Sequence, residues 1–214
     1  MFINVEMNSY MKFEENSPKI KFFSLSEQLQ LAMLNLNEFA NHHKLTDKRS
    51  IERQAALYVV QSTLKNDNIE VLYKESGKPY LRGDIKISIS HSYDWLIVLL
   101  SYNGVDIGVD IEKVRDKILN IKDKFLSKKE LQNLKDAPPE KYTIYWGAKE
   151  AVYKTVEIAG LNFSEQIFIE DFIYSHTGGK INARVHALNS EKKHTLHYQV
   201  LDNYILVYTD NKSE

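Results

Sequence analysis

The chain has 214 residues, 43% of them hydrophobic, and its 28 Lys and Arg balance 29 Asp and Glu to a net charge of −1. That is enough for one sizeable domain or two small, closely packed ones, and no global charge points to nucleic acid. With no cysteine, disulfides, thiolate metal sites and cysteine nucleophiles are excluded.

In chain order, residues 1–7 have the composition of a strand, and a helix is expected around residues 26–42, where Leu25, Leu29, Leu36 and Phe39 supply an apolar stripe. A second helix starts with Thr46 or Asp47 as N-cap and runs to about Lys65, with Ile51, Ala55, Val59 and Leu64 inward and Lys48, Arg49 and Arg53 in its first turns. Residues 69–73 form a strand. A turn at Ser76-Gly77-Lys78-Pro79 follows, and then the alternating strand 85–90, with Ser88 and Ser90 facing away from the isoleucines and His91 at its end. Residues 95–100 are a buried return strand, and Asn103-Gly104 is a hairpin signal leading into the strand 105–111.

Two helical stretches, 117–124 and 127–135, precede Pro138-Pro139 and a long helix over about 140–159 that ends near Gly160. Residues 166–174, 180–188, 194–201 and 204–209 alternate as antiparallel strands, with turns at Gly178-Gly179 and Asp202-Asn203. The fold class is α+β, with strand-rich segments in both halves. The first residues carry Glu6, Lys12, Glu14 and Glu15 and no apolar core, and the longest aliphatic run, 96–100, is far too short to span a bilayer. A soluble cytoplasmic protein is expected.

Chemistry concentrates in two segments. Strand side chains alternate, so Asp110 and Glu112 share a face with Ile111 behind them. In a helix, Trp146, Glu150 and Lys154 recur every four residues and place an apolar anchor, a carboxylate and an ammonium along one face. If that face meets the strand, three carboxylates converge. Such like charges call for a hard divalent cation with oxygen ligands, Mg2+ fitting best, and leave Lys154 to meet a phosphate. The plainer readings are a solvated strand end and a surface i,i+4 ion pair.

Between Lys113 and Lys129, Lys113, Arg115, Lys117, Lys122, Lys124, Lys128 and Lys129 face only Asp116 and Asp123, a net of plus five. That run is a solvated helix face or the docking surface for an acidic partner. His194 and His197 point to opposite faces of a strand and read as structural, as do His42-His43. Gly178-Gly179-Lys180 lacks the rest of a phosphate-binding loop.

Five pieces occur in order over roughly residues 45–160: Gly77-Lys-Pro-Tyr80, Ile87-Ser-Ile-Ser-His91-Ser92, Gly108-Val-Asp110-Ile-Glu112-Lys113, Phe125-Leu-Ser-Lys-Lys-Glu130 and Trp146-Gly-Ala-Lys-Glu150-Ala-Val-Tyr-Lys154. In these the chain resembles the 4'-phosphopantetheinyl transferases of the larger, surfactin-synthetase-activating type, within the holo-acyl-carrier-protein synthase superfamily. The resemblance implies an enzyme that transfers the phosphopantetheine arm of coenzyme A to a serine hydroxyl of an acyl or peptidyl carrier protein, releasing adenosine 3',5'-bisphosphate. It serves fatty acid, polyketide or nonribosomal peptide biosynthesis.

It further implies a single-chain pseudo-dimer of two similar α+β halves, 1–104 and 105–214, with the active site in the cleft between them, and hence a monomer. By the same resemblance Asp110, Glu112 and Glu150 bind Mg2+, while Arg49, Lys78, Pro79, Ser90, His91 and Lys154 contact coenzyme A. Glu150 and Lys154 are the catalytic pair. Glu150 acts as metal ligand, acceptor of the serine proton, or both. The segment 113–129 then docks an acidic carrier protein, with Phe125 contributing. Ala55-Ala56-Leu57-Tyr58 departs from the family where an arginine is common, and Arg53 is the residue placed to compensate. Rival readings are a metal-dependent phosphohydrolase and a non-catalytic coenzyme A or carrier-binding module.

Overall fold

The computed structural model describes residues 17–156, 158, 160–187 and 190–210. The strand expected over residues 1–7 lies outside them. The chain divides into two compact units, Met1–Val105 and Asp106–Glu214, and each mixes helix and antiparallel sheet.

The first unit begins with a hairpin, β1 (Ile20–Ser26) and β2 (Leu29–Asn35), followed by α1 (Leu36–His43). The helix expected from residue 26 is therefore corrected to two strands and a shorter helix. Leu29, Leu31, Ala32, Met33 and Leu34 are all buried, and a strand covered on both faces has no alternation by which to recognise it. Its turn, Glu27-Gln28, also lacks the glycine or asparagine that marks a hairpin. Asn35 caps α1, its side-chain oxygen accepting from the N–H groups of Asn37 and Glu38 at 3.0 Å.

Helix α2 (Lys48–Leu64) starts where expected, with Asp47 accepting from the Ser50 N–H at 2.7 Å. It lays Ala55, Ala56, Val59 and Val60 into a core with Phe39, Leu96 and Val98. The short strands β3 (Leu72–Tyr73) and β4 (Pro79–Tyr80) pair with each other, and β5 (Lys86–Ser92) and β6 (Trp95–Ser101) complete a sheet of order β1-β2-β6-β5. Ser88 and Ser90 are buried along with Ile87, so β5 is covered on both faces rather than half-buried.

In the second unit the elements are β7 (Val109–Lys113), α3 (Lys128–Asn133), α4 (Pro139–Thr155), α5 (Phe163–Gln166), β8 (Ile167–Ile169), β9 (Gly178–Ala187), β10 (Ser190–Leu201) and β11 (Tyr204–Asp210). The sheet order is β7-β11-β10-β9-β8. Asn103-Gly104 does not close a hairpin: β6 pairs with β2 and β5, whereas β7 pairs with β11. The dipeptide turns the chain out of one unit toward the next, Gly104 supplying a φ of +74°. Single 3₁₀ turns at Asp116–Asn120 and Lys122–Lys124 stand where a helix is expected.

Pro139 opens α4 at a position where a missing N–H costs nothing. The helix stops at Thr155, earlier than expected, because Val156 adopts extended geometry (φ −103°, ψ 142°). Gly178-Gly179 opens β9 opposite Tyr198 and Gln199 rather than forming a turn. No described helix is long and apolar enough to cross a membrane.

Candidate active site

Two glycines let α4 settle on β7. A Cβ on Gly108 would sit 1.8 Å from the Ala151 carbonyl oxygen, and one on Gly147 would sit 3.1 Å from Val207 Cγ2 and 3.5 Å from Asp110 Oδ2. Ile111 fills the core behind the strand while Asp110, itself buried, and Glu112 turn toward the helix. The helix answers with the face expected of it. Trp146 Nε1 donates to Glu112 Oε1 at 3.0 Å, and Lys154 Nζ donates to Asp110 Oδ1 and to the Val109 carbonyl, both at 2.8 Å.

Glu150 lies between these two contacts along the helix. Burial, then the neighbouring Asp110 carboxylate, raise its pKa to about 7; the Lys154 ammonium opposes this, and Glu112 adds to it. The four residues read from sequence therefore occupy one partly dry pocket of charge. Among the described residues no three carboxylate or histidine side chains already close on a point as metal ligands. The Lys154 ammonium pairs with Asp110. Three carboxylates, one of them raised in pKa by burial and by its neighbours, are nonetheless the oxygen donors a hard divalent cation takes, so the residues fit Mg2+.

Sequence reasoning missed the partner of the motif's other lysine. Lys149 is fully buried, and its ammonium donates to Glu130 Oε2 (2.8 Å), to the Phe163 carbonyl (2.9 Å) and to the Ile167 carbonyl. Burial lowers its pKa and the Glu130 carboxylate works against that. Glu130 also accepts from the N–H groups of Ser127 (2.7 Å) and Ile169 (2.8 Å), so it closes a capping box on α3 and ties in β8. The signal was present, since Ser127-x-x-Glu130 is the capping-box pattern. Phe125 is corrected: at 1% exposure it packs edge-on against Trp146, centroids 5.1 Å apart, and offers no docking surface. Arg115, Lys117, Lys124, Lys128 and Lys129 are exposed.

In the first unit, Gly77 (φ +84°) makes the turn that presents Lys78, and Pro79 pairs with Tyr73. Ser90 is buried and His91 exposed, its Nδ1 3.3 Å from Glu52 Oε1, a contact from α2 that the sequence did not announce. Arg49 and Arg53 are exposed on α2, and the Arg53 guanidinium lies 5.2 Å over the Tyr73 ring. His197 stacks on Tyr208, and its Nε2 lies 3.1 Å from Asp210 Oδ2.

Residues 106–209 match the family model described as the 4'-phosphopantetheinyl transferase superfamily, and these bounds fall within the second unit. Over those residues the chain is similar to that superfamily. Curated 4'-phosphopantetheinyl transferases are similar to it. Gsp of Aneurinibacillus migulanus is 30% identical over 104 residues, 46% of this chain and 43% of the relative. A Bacillus subtilis transferase is 33% identical over 87 residues, 38% of each chain. Sfp of Bacillus subtilis (strain 168) is 28% identical over 158 residues, 70% of this chain and 67% of the relative. The chain thus spans less than half the length of the first two relatives. Within the matched transferase region lie Asp110, Glu112, Glu150, Lys154 and the Glu130–Lys149 pair.

Proposed function

We propose that this protein transfers the 4'-phosphopantetheine arm of coenzyme A to a serine hydroxyl of an acyl or peptidyl carrier protein, releasing adenosine 3',5'-bisphosphate. The observation that carries the reading is geometric: Asp110 with Lys154 and Glu112 with Trp146 meet on either side of Glu150, inside the region that matches the transferase superfamily. Burial and Asp110 raise the Glu150 pKa in the metal-free protein, toward the range a general base for an alcohol needs. In this reading the serine oxygen attacks the pyrophosphate phosphorus on the pantetheine side and passes its proton to Glu150, and the bond to the bridging oxygen breaks. Lys154 meets the phosphate oxygens as a fixed positive charge.

Asp110, Glu112 and Glu150 would hold Mg2+, which when bound supplies charge stabilisation to the leaving oxygen. Arg49, Lys78, Pro79, Ser90 and His91 are assigned to coenzyme A, with Arg53 beside them. The single-chain pseudo-dimer, the monomeric state and the cytoplasmic location belong to the same proposal. The exposed lysines and arginine of residues 113–129 steer an acidic carrier; reversal of Lys117, Lys122 and Lys124 should raise the carrier KM and flatten its dependence on salt.

The test mixes the protein with coenzyme A, Mg2+ and several apo-carrier proteins and follows carrier mass. Gain of one phosphopantetheine arm is the expected result. Phosphate release without any modified carrier would overturn the proposal.

A further inference from the structure

Trp146 reads in sequence as an apolar anchor, yet its indole N–H is spent on Glu112 Oε1 at 3.0 Å. We infer that Trp146 is a positioning residue for Glu112: its N–H fixes one carboxylate oxygen so that the other is presented in one orientation to a divalent cation. The inference rests on the reading of Glu112 as a metal ligand.

Three observations carry it. Indole is a donor only, so it cannot compete for the cation or take a proton from the site. Its ring cannot wander, because Phe125 lies edge-on at 5.1 Å and Phe163 packs at 5.6 Å, with Phe125 itself fully buried. Finally, the helix brings a donor to each strand carboxylate, Lys154 to Asp110 and Trp146 to Glu112, from either side of Glu150. The two donors differ in charge. Lys154 brings a positive charge to the carboxylate it holds, whereas the neutral indole orients Glu112 without adding charge. Glutamate has three side-chain torsions to order, and a donor that orders them beforehand spares the metal that cost.

Calorimetric titration of Mg2+ alone into the ligand-free protein tests this, comparing wild type with Trp146→Phe. Because the chain has 2 tryptophans, replacement of tryptophan by benzothienylalanine in a Trp95→Phe background gives a second variant that keeps the ring shape and lacks only the donor. Mg2+ affinity should fall about 10–100-fold in both, as for other residues that orient metal ligands, while the carrier KM stays unchanged. Affinity within about twofold of the parent in the benzothienylalanine protein overturns the inference. Glu112→Gln separates the two levels. If it too leaves Mg2+ affinity unchanged, the metal reading and the inference fall together; if it weakens binding and the analogue does not, only the role of Trp146 is refuted.

Discussion

Helices α2 and α4 both run for 17 residues and each packs on the sheet of its own unit, but they handle charge in opposite ways. α2 buries Ala55, Ala56, Val59 and Val60 and leaves Arg49 and Arg53 in solvent. α4 buries residues on nearly every side, Lys149 among them, and its Glu150 and Lys154 are largely shielded. Exposed cations such as those of α2 are cheap to place and weakly coupled to their neighbours. Charges on α4 are taken out of water, and that burial is what raises the Glu150 pKa and lowers that of Lys149. Anion contacts can be recruited from the first kind of helix, whereas proton transfer at neutral pH calls for the second.

The sharpest way to break this contrast is Glu150→Gln. It should lower kcat by about 10²–10⁴-fold, the range of general-base help, in a carrier-mass assay, with circular dichroism unchanged; Arg49→Ala on α2 should act through the coenzyme A KM instead. Next comes Lys149→Met, which leaves Glu130 buried without its cation and should cost about 3–5 kcal/mol in urea unfolding. Lys149→Met with Glu130→Gln should recover part of that loss, and a double mutant as unstable as the single would show that the pair is not the cause.

A smaller effect concerns pH. The folded Glu150 carboxyl holds its proton more tightly than the unfolded one, whose reference value is 4.5, so its favourable contribution is present below 4.5 and is lost as pH rises through about 7. Metal-free wild type should therefore melt close to Glu150→Gln at pH 5 and below it at pH 8. Mg2+ binding at pH 7 should release about half a proton, visible as a buffer-dependent heat. The smallest expected change is Asp47→Ala, about 1 kcal/mol for the lost cap of α2, with transfer activity intact.

The readable parts of this fold were those with local grammar. Asp47 announced the start of α2, and the spacing of Asp110, Glu112, Trp146, Glu150 and Lys154 brought them together in space because both periods, two and nearly four, are geometric facts. Where burial is complete the grammar disappears. β2 hides its alternation under apolar residues on both faces, and the Lys149–Glu130 bond joins residues 19 apart that no periodicity links. Asn103-Gly104 kept its turn geometry but not its expected pairing, since a turn specifies a change of direction and not a partner strand.

The spacing of Trp146, Glu150 and Lys154 also sets what this site can survive over evolutionary time. An inserted or deleted residue within 146–154 rotates everything beyond it by about 100° around the helix, which would part Trp146 from Glu112 or Lys154 from Asp110 in a single event. Substitutions along that stretch can be graded and compensated. Changes of length cannot, so drift should reach this helix through its side chains and spare its count of residues.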